Sequence, residues 1–341
     1  MKRLLRRVLP VGLAVALLLY ALKDTSINDV GKQFRQANYL WLFVVGCIIG
    51  LYYIARAARW QLTLQALHYQ PSLFRTTIAL LAGSMASMIV PGAGELTRCG
   101  TLQRTDSIPL SKSLGSVVAE RVIDLLMLGV LVALTFLLEF KRVGQYIASL
   151  LKPLASRIAP NGNGLFLLAC ALLIIGGAIG LLYWLLRQEA FRQHRWIVRA
   201  TTVGRNIGEG FLSIRQLKRP VLFVALTLGS YLLSFLTTYI LFFASSQTVS
   251  LPPTAALTIL TVSSLGGLAV PTQGGLGTYH FLVSRVLMLY GMNEVEGVVI
   301  ATFLHAVQTG FALLLSSLSF ITVPLLVAAR KKRDKVPTLS P

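Results

Sequence analysis

Apolar runs dominate the chain and set its elements. Leu165–Leu186 and Val221–Phe243 contain no Asp, Glu, Lys, Arg or His, and Val298–Ala329 contains only His305. Each residue advances an α-helix by 1.5 Å, so about 20 apolar residues cross the roughly 30 Å hydrocarbon core of a bilayer. Shorter runs at about 5–22, 39–55 and 117–138 fit the same pattern. A transmembrane β-barrel alternates apolar and polar positions in short segments, and this chain does not. The pattern predicts an all-α polytopic membrane protein with about six full spans.

Two apolar runs are interrupted. The first reads "SMIVPGAGEL" over 87–96 and the second "GLAVPTQGGL" over 267–276. Pro and Gly end helices, so Pro91, Gly92 and Gly94 predict a re-entrant hairpin near 73–97. Pro271, Gly274, Gly275 and Gly277 predict another near 254–290. Each break follows a span and precedes, about 25 residues on, a Gly and a small-residue apolar helix, from Gly115 and Gly297. The expected organisation is one integral membrane domain over residues 1–341. A first repeat (39–138) and a second (220–328) are joined by a connecting helix and a basic cytoplasmic loop (139–219).

Charge orients this scheme. The chain has 32 Lys and Arg against 12 Asp and Glu, a net charge of +20, but only 13% of residues are charged, and mean hydropathy is +0.70. The bases gather beside the spans, in "MKRLLRR", "AARKKRDK" and eight Lys or Arg between Arg187 and Arg219. Such clusters mark cytoplasmic loops facing anionic headgroups rather than a nucleic-acid surface. Both termini and the 187–219 loop are therefore expected in the cytoplasm. The first repeat then starts from the outside-facing end of its span and the second from the opposite end, an inverted repeat. Broken helices at matching places in such repeats point to a central transport site. One conflict is internal: the 139–164 loop carries Lys141, Arg142, Lys152 and Arg157 yet falls outside. The basic, apolar N-terminus resembles a secretory signal but lacks a clear small-x-small cleavage site, so a retained first helix is expected.

The candidate chemistry is ionic. Glu120 and Asp124 share a helix face, and Arg121 reaches Asp124 three residues on. A charge at the centre of a membrane helix costs about 2.5–3.5 kcal/mol on insertion scales, so these groups need partners or water. Glu95 and Arg98, beside the first break, are the natural partners. Arg98 and Arg121 can hold a phosphate; Glu95, Glu120 and Asp124 can hold an amine or balance the arginines. A structural lock between two helices would use the same residues. Tyr52, Tyr53, Arg56, Arg59 and Trp60 read as an anchor belt at the cytoplasmic end of the second span. The segment after the second break reads as an interfacial helix with Tyr279, Leu282, Val283, Val286, Leu287 and Tyr290 on its apolar face. His280, Ser284 and Arg285 fall on its other faces; His280, Arg285 and His305 are secondary candidates. Cys47, Cys99 and Cys170 are too dispersed for a disulfide or a metal site. No nucleophile motif or phosphate loop occurs, so no cofactor is expected.

The motifs together resemble the lysylphosphatidylglycerol synthase transmembrane-region family of flippase-like membrane proteins. Its Pro-Gly-x-x-Gly-Glu-x-x-Arg stretch is similar to the run with Pro91, Gly92, Gly94, Glu95 and Arg98. Its Glu-Arg-x-x-Asp is matched by Glu120, Arg121 and Asp124, and its Pro-x-x-Gly-Gly-x-Gly by Pro271, Gly274, Gly275 and Gly277. The resemblance spans roughly residues 5–330. It departs where many relatives carry an acidic residue after the second glycine turn and this chain has Tyr279-His280. The resemblance implies a bacterial inner-membrane protein that binds an aminoacylated, phosphorylated or glycosylated lipid headgroup and moves it between leaflets. It implies membrane lipids as partners, and a homodimer or a lipid-modifying enzyme as a further one. The alternatives are an integral-membrane enzyme or accessory acting on polyprenyl-phosphate-linked sugars, and a lipid-binding scaffold. The family's soluble aminoacyltransferase domain has no counterpart here, so transport is expected over synthesis.

Overall fold

A computed structural model of the chain describes residues 27–158, 217, 219–270 and 272–334. The expected first helix, the 165–186 run, nearly all of the basic 187–219 loop and Pro271 lie outside the described residues. Among the described residues there is no strand. The helices are α1 (Ile27–Gln36), α2 (Tyr39–Ala66), α3 (Leu73–Ile89), α4 (Ala93–Asp106), α5 (Leu110–Ile158), α6 (Pro220–Phe242), α7 (Pro253–Ala269), α8 (Thr278–Leu289) and α9 (Glu294–Asp334). A 3₁₀ turn, Gln273–Gly275, lies between α7 and α8.

Among the described residues four stretches are long and apolar enough to cross a membrane: α2, Leu110–Arg142 of α5, α6, and Glu294–Arg330 of α9. The chain is a multi-pass membrane protein. Large apolar side chains such as Phe43, Leu137, Leu228, Leu314 and Phe320 are exposed along these spans, where lipid rather than water would cover them. At 17 residues each, α3 and α7 are apolar but short, and each turns back into a partner arm.

Contacts at the two ends of the bundle fix the directions of its helices. The Asn38 amide donates to the Ala244 carbonyl at 2.9 Å, so α2 begins where α6 ends and the two packed helices run antiparallel. Gln33 of α1 donates to Ser245 and Gln247 at the same end, and Phe34 meets Phe303 of α9 with ring centroids 5.1 Å apart. At the opposite end, Arg75 and Asp106 pair at 2.8 Å and close the mouth of the α3–α4 hairpin. Arg330 of α9 reaches the Gln103 and Arg104 carbonyls there. The α3–α4 hairpin therefore opens at one end of the bundle. The α7–α8 hairpin, which leaves α6 and leads into α9, opens at the other. Between those ends, α3 packs on the 3₁₀ turn of the second hairpin. The contacts are reciprocal, with α3 against α9 and Thr135 of α5 bonded to Thr261 of α7 at 2.8 Å.

The two breaks form by the means their residues allow. Val90 is extended before Pro91, as a residue preceding proline prefers, and Gly92 takes φ +80°. In the second break Gly274, Gly275 and Gly277 have φ of +59°, +81° and +77°, a region other residues enter only at a cost. Helix starts are capped locally: Asn38 accepts from the Leu40 amide at 3.0 Å. Asn293 and Glu296 exchange side-chain and backbone bonds as a capping box for α9.

Two expectations about element ends are corrected. The second span continues about three turns past Arg56 to Ala66, because its amphipathic second half packs inward rather than meeting water. The region expected as a loop from 139 stays helical to Ile158 past non-helical backbone at Glu139 (φ −107°, ψ 15°). Arg142 pairs with Glu139 at 2.9 Å on that stretch.

Candidate functional site

The longer α2 carries Tyr52, Arg56 and Arg59 at spacings of four and three residues, one helical face. That face meets α5, and the first consequence is a buried ionic core. Arg59, 1% exposed, lies 3.5 Å from Glu120 and 2.8 Å from Asp124. Glu120 takes Arg98 of α4 on its other oxygen at 2.9 Å. The guanidinium of Arg98 lies 4.5 Å from the centroid of the Trp60 ring, and the Trp60 N–H donates to Ser116 at 2.9 Å. One carboxylate thus serves two buried arginines, with an aromatic face for one of them.

Around this core is a more open ring. Arg121 pairs with Glu95 at 2.5 Å and lies 4.0 Å from Asp124. The Tyr231 hydroxyl of α6 is within 3.4 Å of the Asp124 carboxylate. The first hairpin and the start of α5 therefore converge on one cluster, and α2 joins it.

A chamber of about 550 Å³ opens beside this cluster, lined by α2, α5, α6 and α7. Arg56, Arg59, Arg121 and Asp124 bring the charge to its wall, with Tyr52 and Tyr231 beside them. Arg56 donates to the Tyr52 hydroxyl at 3.3 Å and stands over that ring at 5.5 Å. Among the described residues no carboxylate lies within ion-pair distance of it, unlike Arg59, Arg98 and Arg121. The wall thus holds a guanidinium that feels Asp124 and Glu120 only at longer range than an ion pair.

The five expected charged residues are brought together, but they divide. Asp124 and Arg121 face the chamber, Glu120 and Arg98 are buried behind it, and Glu95 braces Arg121 from the half-exposed side. The anchor-belt reading of Arg59 and Trp60 is corrected, since both are buried and partnered across helices. Arg56, Tyr52 and Tyr231 were not among the expected site residues. The polar i, i+4, i+7 stripe in an otherwise apolar helix was the available signal for the first two.

In the second hairpin, His280 and His305 lie together, ring centroids 4.8 Å apart. Tyr279 stacks on His305 at 4.8 Å, and the His305 Nε2–H donates to the Gly274 carbonyl at 2.8 Å. The interfacial-helix reading of this segment is corrected: His280 and Ser284 are each 3% exposed. The cause is that α8 packs against both α7 and α9, so a wider face is covered than apolar periodicity suggests. Arg285 points away and pairs with Glu294 at 2.8 Å. No group of three or more His, Cys, Asp or Glu side chains able to hold a metal occurs among the described residues.

The family described as the lysylphosphatidylglycerol synthase TM region matches residues 7–316. No curated protein and no solved structure matches the chain.

Proposed function

From the premise that the chain belongs to the lysylphosphatidylglycerol synthase transmembrane-region family, we propose that it binds a phosphate-bearing lipid headgroup in the arginine-lined chamber and moves it between leaflets. The observation that carries this reading is Arg56: a cation with no carboxylate at ion-pair distance among the described residues, on the wall of a chamber of about 550 Å³ among membrane spans. A lipid phosphate supplies the missing negative charge, and guanidinium groups recognise phosphate well. The acyl chains stay in the bilayer while the headgroup, the part that lipid solvates worst, enters the polar space.

The arrangement of the hairpins supports movement as well as binding. One opens at one end of the bundle, the other at the opposite end, and their inner ends meet near the middle. We read this as an inverted repeat of two re-entrant hairpins, the architecture that places a transport site at the repeat interface. The basic clusters beside the spans support a reading with both termini in the cytoplasm, and we read the membrane as the bacterial inner one. Arg75, Arg104 and Arg330 all gather at the end where the first hairpin opens, which is then the cytoplasmic face.

A dithionite-quenching assay in proteoliposomes with fluorescent phosphatidylglycerol tests this. Wild-type protein accelerates exposure of inner-leaflet lipid. Arg56→Gln, folded by thermal shift, reduces that rate by about tenfold or more, the equivalent of one charge-assisted hydrogen bond. Wild-type rates in Arg56→Gln would overturn the role of this chamber. Turnover of a polyprenyl-phosphate sugar by the same protein would favour an enzyme instead.

A further inference from the structure

The arginine-lined chamber adjoins a second one of about 350 Å³, and the two share Tyr52, Ser234, Leu260 and Ser264 on their walls. Small-molecule sites occupy roughly 300–1,000 Å³, so the second space is of ligand size. It lies where the hairpins meet, with Met88 at the end of α3 and Gly274 in the second break on its wall. Its chemistry differs from its neighbour's: among the described residues no Asp, Glu, Lys or Arg lines it.

Hydroxyls and one amide line it instead. Ser263 and Ser264 donate to the Leu260 carbonyl at 3.2 and 2.6 Å, and Thr237 donates to Leu233 at 2.8 Å. Their protons are committed to their own helices, which leaves oxygen lone pairs as acceptors. The Tyr279 hydroxyl and the Gln308 amide lie against each other, yet neither buried group completes a well-aligned hydrogen bond. Both retain donor capacity. His305, whose Nε2–H is spent on Gly274, presents Nδ1 as a further acceptor. The wall therefore offers donors and acceptors together, without formal charge.

Resting on the reading of the first chamber as a phosphate site, we propose that the second chamber binds a neutral, hydroxyl-bearing end of the same headgroup: a glycerol, cyclitol or sugar. Each hydroxyl of such a group both donates and accepts, which matches the mixed wall. The stacked Tyr279 and His305 rings add a flat face of the kind that covers the apolar side of a polyol ring. A headgroup ending in ammonium is disfavoured here, because no carboxylate among the described residues lines this wall to pair its charge. The substrate class is then a phosphodiester lipid with an uncharged polyol terminus, not an aminoacylated one.

Lipid retention measured by native mass spectrometry on the full chain separates these cases. The protein is taken from nanodiscs holding phosphatidylcholine with equal amounts of phosphatidylglycerol, phosphatidylinositol, phosphatidic acid and lysylphosphatidylglycerol. The expected result is retention of phosphatidylglycerol and phosphatidylinositol over phosphatidic acid and the lysyl lipid by about tenfold, what one net hydrogen bond supplies. The ratio of the first two tells glycerol from ring polyol. Gln308→Leu should erase that preference while still retaining anionic lipid; Thr309→Val, also on the wall, serves if that variant does not fold. Equal retention of phosphatidic acid, or preference for the lysyl lipid, overturns the polyol assignment and leaves the phosphate site standing. Equal retention of phosphatidylcholine, a phosphodiester with an ammonium terminus, likewise overturns the polyol assignment. Retention of added diacylglycerol, which carries no phosphate, as strongly as phosphatidylglycerol overturns the phosphate site itself.

Discussion

Around the first hairpin, Arg98 and Glu95 reach from α4 to Glu120 and Arg121 on α5, and Arg75 joins Asp106 across the open end. Around the second, the corresponding ties are a histidine on a glycine carbonyl, stacked rings and hydroxyl contacts. The backbones differ in the same sense. The arms of the first approach through glycine, with a Cβ at Gly83 falling 2.6 Å from the Gly94 carbonyl oxygen. The arms of the second approach at Gly266 through the flexible side chain of Leu282. One hairpin is fixed by buried charge and backbone contact, the other held chiefly by adaptable neutral contacts, with one solvent-reached ion pair at its open end. The anchored hairpin braces Arg121 of the cation wall, and the neutral one supplies part of the uncharged wall of the second chamber.

The strongest test of that contrast is Glu120→Gln. The amide carries no charge, so Arg59 and Arg98 are left buried with only Asp124 between them. Removing one partner of a buried ion pair costs about 3–5 kcal/mol. His305→Gln in the second hairpin removes one hydrogen bond to a carbonyl, about 1 kcal/mol. Thermal unfolding in detergent micelles should rank the two in that order by a wide margin. Equal losses would break the contrast.

Backbone approach gives the next test. An alanine Cβ at Gly94 would overlap the Gly83 carbonyl and the Ser87 hydroxyl, and the carbonyl has no rotamer to escape into. Overpacking of this kind costs about 1–3 kcal/mol. Gly266→Ala meets side-chain atoms alone, the end of Leu282, which can rotate, and the Thr278 methyl at 3.2 Å, so its cost should fall below that of Gly94→Ala. The same unfolding measurement decides. A Gly266→Ala variant as unstable as Gly94→Ala would mean that the second hairpin is as rigidly fixed as the first.

The sequence made the membrane class, the four described spans and both breaks legible, because span length and Pro/Gly interruptions are local signals. It also made the Glu95–Arg121 and Arg98–Glu120 partnerships legible in outline: charges that lipid cannot solvate must find one another. Arg56 and Arg59 were misread as an interfacial belt. An arginine near the expected end of a span looks the same in sequence whether the helix stops or continues for three turns with that face turned inward. The neutral chamber left little trace. Serines and threonines bond to their own helix carbonyls throughout apolar helices, so their convergence from α6, α7 and α9 is visible only once those helices are packed. His280 and His305, 25 positions apart, gave no pairing signal for the same reason.

Arg285 sharpens the comparison at its small end. It is the ionic tie of the second hairpin, joining α8 to Glu294 at the start of α9 at 2.8 Å, with side chains 33% and 52% exposed. Pairs that solvent or headgroups reach contribute about 0–1 kcal/mol and weaken as salt screens them. Arg285→Met, which keeps an unbranched apolar stem in place of the charge, should lower stability by less than about 1 kcal/mol. That loss should vanish at molar salt, and lipid retention should be unchanged because Arg285 lines neither chamber. The measurement is a salt series of unfolding temperatures beside the mass-spectrometric lipid profile. A large loss that persists in salt would mean that the second hairpin also depends on charge, and the division of labour between the hairpins would fail where it now looks safest.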